Sequence, residues 1–397
     1  MRIGINALFL QKPTTGQGQH LIHLLRGLDQ ADHENSYVLL SPRLSGAYSI
    51  NAPGLGPRFQ EVKVVSALAR FGENASKLWW EQVGIVRAAF REQIDLLHVP
   101  YWASPLFNPF PTVVTIHDVI QFMLPQYAWR QISRMYFWLV ALAARRAQAI
   151  IAVSECSRRD IVKTIGIPAS RIHVIGNAVD ERLRPIADQR VLSGVQERYG
   201  IGRKYILYFG GFDLRKNVKR LIHAYARLPS ALRREYQLVI AGRMNLYSSR
   251  VNAERGHPLY PDPRPLVPQL GLADQVVFTG QIREQDKAPL YSGATVFAFP
   301  SLYEGFGIPV LEAMACGAPV LTSNLSALPE VVGEAGLLVD PYSTDEIAAA
   351  LQTLLEDPVL RGELSQKARA RAQQFSWKQV AEQTVAVYQQ VYAQSRR

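Results

Sequence analysis

Two glutamates, Glu304 and Glu312, stand on either side of the glycine-rich turn Gly305-Phe306-Gly307. Residues 296–299 before them are apolar and read as a strand ending at Pro300, and Pro309 opens a helix, because proline is favoured in a first helical turn. Such a turn aims several N–H groups and the positive end of the helix at one point, which suits a phosphate or a polyhydroxylated ligand. For one glutamate alone, acidic capping of the helix is the plainer reading. The pair, with the glycines and the strand end, favours a ligand mouth flanked by two carboxylates.

A second turn, Gly210-Gly211-Phe212-Asp213-Leu214-Arg215-Lys216-Asn217, follows the apolar run 205–209 and puts Arg215 and Lys216 at a helix start. An isolated pair of this kind is often a solvated face, but at the carboxyl end of a parallel strand it suits phosphate. His117 closes the apolar run 113–116, where a histidine is either structural or a site group able to titrate near neutrality. Asp118 either orients that imidazole or caps the next turn. Gly16-Gln17-Gly18 lacks the third glycine of a dinucleotide fingerprint and is weak evidence for NAD. Arg243 is a further cation near the second turn. The sequence has no Asp-x-Asp pair, no histidine pair at ligand spacing and no serine-nucleophile, zinc-protease or P-loop signature, so it requires no metal.

These residues need a scaffold, and the chain alternates short β-branched runs with longer helical patterns, the signature of βαβ units and parallel sheets. Strands are expected at 2–7, 37–40, 59–64, 96–99, 113–117, 149–153 and 172–175, with helices near 18–28, 78–91, 129–147 and 156–164. A polar break at 177–202 precedes a second series: strands at 205–209, 237–241, 276–279, 296–299, 319–322 and 336–339, then a helix at 377–393. The fold class is therefore α/β with two doubly wound, Rossmann-like parallel-sheet domains. The expected division is a first domain at 1–184, a linker at 185–202, a second domain at 203–376 and a final helix at 377–397 that crosses back to the first domain. Five prolines make residues 247–269 a long loop.

The 397 residues, 48% hydrophobic and 19% charged, exclude a disordered or collagen-like chain and allow two cores. Cys156 and Cys316 are the only cysteines and sit at no zinc or redox spacing. Residues 1–6 enter an apolar alternation without a leader pattern, and the longest apolar stretch, 135–144, is too short to span a bilayer, so a cytoplasmic protein is expected. The net charge of +11 implies anionic partners or solubilising charge; without a run of five basic residues, nucleic acid is not expected among the partners. Residues 127–146 mix Trp129, Tyr136, Phe137 and Trp138 with Arg130, Arg134, Arg145 and Arg146. They read either as a buried crossover helix or as an interfacial helix docking peripherally on an anionic membrane. Trp79, Trp80, Tyr101 and Trp102 belong to the core or shape an acceptor groove.

The run 300–317, with Pro319-Val320, Pro329-Glu330, Ala335-Gly336, Thr115-Ile116-His117-Asp118, residues 151–155 and the turn 210–217, resembles the retaining family-four glycosyltransferases of the GT-B fold across the whole chain. The resemblance implies two Rossmann-like domains facing across a cleft, and a catalytic Glu304 before the transferred sugar. It implies Glu312 on the nucleotide ribose, Lys216 on the diphosphate, and His117 beside the donor sugar and leaving phosphate. It places the loop of Gly16 and Gly18 and the turn Gly305-Phe306-Gly307 against the donor, and the base on backbone near Ile282. Many members carry arginine where Gly211 stands, so Arg215 or Arg243 is expected to replace that charge. The activity implied is retaining, metal-independent hexosyl transfer without a cofactor. The version of the turn seen here resembles bacterial mannosyltransferases of surface-polysaccharide assembly, so GDP-mannose leads as donor, with a saccharide or lipid-linked acceptor. A UDP-sugar is the alternative; a nucleotide-sugar epimerase and a non-catalytic nucleotide-sugar binding protein are others.

Overall fold

Residues 96–99, 112–116 and 149–152 are apolar or uncharged at almost every position, a pattern that suits strands covered on both faces. In the computed structural model, which describes residues 1–13, 15–43, 54–68, 72–128, 131–242 and 258–396, they are the buried centre of one parallel sheet. Its strands are β1 (Arg2–Asn6), β2 (Ser36–Arg43), β3 (Phe59–Val65), β4 (Leu96–Val99), β5 (Thr112–Ile116), β6 (Ala149–Ala152) and β7 (Ile172–Val174), in the order β3-β2-β1-β4-β5-β6-β7. Only the edge strand β3 exposes much of its length. Val114, Ile116, Ile150 and Ala152 pack with Trp80, Ile85, Val140 and Ile161 from the covering helices.

The second sheet is built the same way from β8 (Lys204–Phe209), β9 (Tyr236–Ala241), β10 (Val276–Gly280), β11 (Val296–Phe299), β12 (Val320–Ser323) and β13 (Gly336–Val339), in the order β10-β9-β8-β11-β12-β13. Strand order reverses between β1 and β4 in one sheet and between β8 and β11 in the other. At such a reversal the loops leaving the carboxyl ends diverge to opposite faces and open a crevice where α/β folds bind ligands. The loops after β8 and β11 are the two turns singled out above.

The compact units are Met1–Asn177 with Ser376–Arg397, and Ala178–Phe375. Residues 178–184 thus fall in the second unit, and so does the stretch 185–202 expected as a linker. It holds the helix Gln189–Arg198, which escapes a periodicity reading because Val195 is its only buried residue. Polar contacts anchor it instead: Arg198 Nη1 and the Tyr199 hydroxyl lie 2.7 and 2.8 Å from the Asp286 carboxylate, and Ile186 N–H donates to Ser292 Oγ at 3.0 Å. The helix expected from residue 78 begins at Glu73 and passes through a π-helical turn at Trp80–Gly84.

In the first unit, the final helix Trp377–Ser395 packs along the helix Gly16–Ala31. Gly27 is required there: a Cβ would stand 2.5 Å from the Trp377 carbonyl oxygen. Among the described residues no helix is long and apolar enough to cross a membrane.

Candidate active site

Arg215 and Lys216 occupy the one-turn helix Leu214–Lys216 after β8, started by Asp213, whose carboxylate accepts from Arg215 N–H at 3.1 Å. The chain then turns through Asn217 with φ +61°, and its side-chain amide donates to the carbonyls of Pro300 (3.0 Å) and Pro341 (2.7 Å). Leu302 N–H donates to Arg215 O at 2.7 Å. These bonds knit the loop after β8 to the loop after β11, and they bring together side chains 88 residues apart.

Glu304 lies at the junction. Lys216 Nζ donates to its Oε1 at 2.7 Å, Ser301 Oγ lies 2.6 Å from the same oxygen, and Arg215 Nη1 is 2.9 Å from Oε2. Arg215 Nε also lies 3.7 Å from Asp213 Oδ1, and the Lys216 and Glu304 side chains are only 12% and 8% exposed, so this is a largely buried cluster of two cations and two anions. Burial alone would raise the Glu304 pKa, but the charges of Arg215 and Lys216 and the hydrogen bonds outweigh it and hold the carboxyl at about 2. Burial, and then the like charge of Arg215, hold Lys216 below the ordinary lysine value despite Glu304.

Around this cluster, Gly307 has φ +112° and a Cβ there would stand 2.7 Å from Leu328, so the entry to the helix Ile308–Ala315 demands glycine. Gly305 precedes it, and Phe306 turns its ring into the second unit against Phe375, leaving backbone as its contribution to any ligand. Glu312 is half-buried on the same helix; it accepts from the Tyr291 hydroxyl at 2.8 Å, with Lys287 Nζ at 3.9 Å. Burial raises its pKa against the pull of Lys287. Tyr291 has no motif to announce it, and only the packing reveals it. Ile282, just beyond β10, is buried.

Gly211 is exposed, its φ is not in the left-handed region, and nothing lies within 4 Å of where its Cβ would be. Glycine is therefore not a structural requirement. Gly211→Arg is expected to leave the unfolding midpoint unchanged and to lower the donor KM by roughly threefold to tenfold, by adding a charged donor for phosphate. A raised donor KM in steady-state assays would place the diphosphate elsewhere.

In the first unit, the helix Gly16–Ala31 starts at Thr15, whose hydroxyl accepts from Gly18 N–H at 3.1 Å. A Cβ on Gly18 would lie 2.2 Å from the Lys12 carbonyl oxygen, whereas one on Gly16 would meet open space. His117 directly follows β5 and donates from Nε2 to Pro100 O at 3.1 Å. Its ring meets that of His20 edge to face, centroids 4.6 Å apart. His20 carried no signal in the sequence beyond following the glycine loop. Trp80 and Tyr101 are buried and hydrogen-bonded to Asn6, as core residues. Trp102 stacks on Phe137 at 5.5 Å, and Met135 and Trp138 on the helix Gln131–Arg146 are 68% and 64% exposed. Thr14, Trp129, Arg130, Arg243 and residues 247–257 of the proline-rich loop lie outside the described residues.

Comparison with known proteins agrees with this construction. The family described as Glycosyl transferases group 1 matches residues 196–373, and that described as Glycosyltransferase Family 4 matches residues 14–183. The chain is 33% identical to O-antigen chain mannosyltransferase B of Escherichia coli, over 70% of this chain and 69% of that protein. It is 32% identical to the MMP alpha-(1->4)-mannosyltransferase of Mycolicibacterium hassiacum, over 99% of both. The crystal structure of Anabaena Alr3699/HepE in complex with UDP-glucose superposes with a TM-score of 0.75 at 20% identity, covering 98% of this chain and 100% of that one, which is a likeness of fold. The chain therefore belongs to the group 1, family 4 glycosyltransferases, and is a nucleotide-sugar-dependent glycosyltransferase of the GT-B fold.

Proposed function

We propose that the enzyme transfers mannose from GDP-mannose, with retention, to a saccharide or lipid-linked acceptor in the assembly of a surface glycan. The observation carrying the chemistry is the buried Arg215, Lys216 and Glu304 cluster at the strand reversal between β8 and β11. Departure of a nucleoside diphosphate leaves positive charge at the anomeric carbon and builds negative charge on the phosphate oxygen. Lys216 and Arg215, fixed before the donor arrives, stabilise that oxygen, and Glu304 faces the sugar as its charge develops. The acceptor hydroxyl forms the new C–O bond on the face from which the C–O bond to phosphate breaks, and its proton passes to the departing phosphate. Glu312 holds the ribose, and His117 of the first unit acts on the donor sugar.

Mannose is supported by the names of both sequence relatives. The UDP-glucose complex of HepE keeps a UDP-sugar as the second reading. A thermal-shift panel of GDP, GDP-mannose, UDP and UDP-glucose, followed by assay of nucleoside diphosphate release with acceptor, separates them. A ligand at a hundred times its Kd adds about 2.7 kcal/mol of stability. Stabilisation by UDP-glucose and not by GDP-mannose would overturn the mannosyl reading.

The exposed Met135 and Trp138, beside the exposed Arg134 on the helix Gln131–Arg146, support the interfacial reading of this segment. The enzyme is expected to float with phosphatidylglycerol vesicles at low salt and to be released by salt, because each basic residue contributes about 1 kcal/mol toward an anionic leaflet within a Debye length. Arg134→Glu with Trp138→Ala should abolish flotation. Failure of the unaltered protein to float at low salt would assign the charge to solubility and anionic donors.

A further inference from the structure

His20 is a buried titratable group that the reaction above does not use. It lies one turn into the helix Gly16–Ala31, 3% exposed, directly behind the glycine loop. Its Nδ1 is 2.7 Å from Asn177 Oδ1, an acceptor, so Nδ1 carries the ring proton and Nε2 keeps a lone pair; that Nε2 is buried with no hydrogen-bond partner. One side of the ring meets His117 at 4.6 Å and 82°. The ring also meets Trp377 at 5.6 Å and 69°, and the Trp377 indole N–H is also buried without a partner.

The two residues opposite His117 have a shared place in the chain. Asn177 is the last residue of the first unit before the chain leaves it, and Trp377 follows Ser376, where the chain returns. One imidazole thus touches the first unit at both crossings and touches His117. Edge-to-face contact orients a ring, and an Asn carbonyl fixes a tautomer, so each neighbour constrains a different freedom of the pair.

We infer that His20 is a positioning residue, which holds the His117 ring in its orientation for the donor and ties that alignment to the two segments that connect the units. The inference rests on the reading of His117 as a donor-site residue. Asn177 and Trp377 lie beside the two points where the chain passes between the units. The titratable groups facing His20 are His23 on its own helix, His98 on β4 and His117 after β5, and all three disfavour a charge on it beyond what burial already does. Burial likewise lowers the His117 pKa, against the hydrogen bond to the Pro100 carbonyl and then the pull of Asp118.

The test uses the full-length enzyme. In ¹⁵N spectra of the ring nitrogens, unaltered His117 should show a single neutral tautomer with the proton on Nε2, and His20→Asn, which keeps a donor for Asn177 but removes the ring edge, should mix the tautomers. His20→Asn should also lower kcat by about tenfold at unchanged donor KM, the loss expected of a misaligned but intact site. Asn177→Asp places a carboxylate against the Nδ1 proton and favours imidazolium at His20. That variant should therefore acquire an acid limb, losing about tenfold in kcat at about pH 6 relative to about pH 8, where the unaltered enzyme shows none. An unchanged His117 spectrum in folded His20→Asn, or parallel pH profiles for Asn177→Asp and the unaltered enzyme, would overturn the inference. Full turnover by His117→Ala would instead overturn the placing of His117 at the donor, an outcome the ring spectra distinguish because they need no turnover.

Discussion

Lys216→Ala is expected to lower kcat by about 10² to 10³, the usual loss on removing one preorganised group that stabilises developing charge in a dry site. Lys216 Nζ is buried, 2.7 Å from Glu304, and 4.9 Å from the centroid of the Phe299 ring, so its position is set before any donor is present. A water entering the space left by the side chain carries no net charge, and Arg215 remains held by Glu304 and by the Tyr303 carbonyl at 2.9 Å. Steady-state and single-turnover rates on one donor, with and without magnesium, measure the effect. Retention of more than about a tenth of the turnover would remove Lys216 from leaving-group stabilisation.

Glu304 is expected to give the second large effect, visible as both rate and stability. Glu304→Ala removes the carboxylate from buried Lys216 and leaves Arg215 with Asp213 and the Tyr303 carbonyl, and removing one partner of a buried pair typically destabilises by about 3 to 5 kcal/mol. Turnover should fall steeply while the donor KM does not rise, because the freed cations still meet the diphosphate. Glu304→Gln keeps the shape and a hydrogen-bond acceptor for Lys216 and Ser301, so it should recover part of the stability without the rate. The pH dependence follows from the depressed carboxyl. A group held at about 2 in the folded chain, against an ordinary value of 4.5, adds stability that is complete above 4.5 and is lost as pH falls toward 2. The unaltered protein should therefore lose stability across that window more steeply than Glu304→Gln in urea titrations at fixed pH. Equal slopes would mean that the ion cluster does not persist in solution.

The strands were legible because each is a short apolar or β-branched run closed by glycine, proline or a polar residue, and parallel strands tolerate little else. The turns after β8 and β11 were legible as ligand turns for the same local reason. The pairing of Lys216 and Arg215 with Glu304 was not, because it depends on β8 lying beside β11, a fact of strand order and not of spacing. His20 escaped notice because its partner Asn177 is 157 residues away. The helix Gln189–Arg198 escaped because polar anchors on Asp286, and not an apolar stripe, hold it in place. Gly27 carries no local signal, because what requires glycine there is the backbone of the final helix.

The seat of Trp377 on Gly27 has a consequence for how the chain comes off the ribosome. Domains tend to fold as they emerge, the earliest residues first. Here residues 1–177 emerge before residues 178–375 but lack the helix Trp377–Ser395 that packs along the helix Gly16–Ala31, and that helix is made after both. The intervening residues 178–375 form a contiguous body that needs nothing from either end to close its own sheet. During synthesis the nascent first unit therefore waits with an apolar groove open while the second is translated and folded. It is closed only after residues 377–395 have followed the second unit, so the unit that starts to emerge before the other is completed after it.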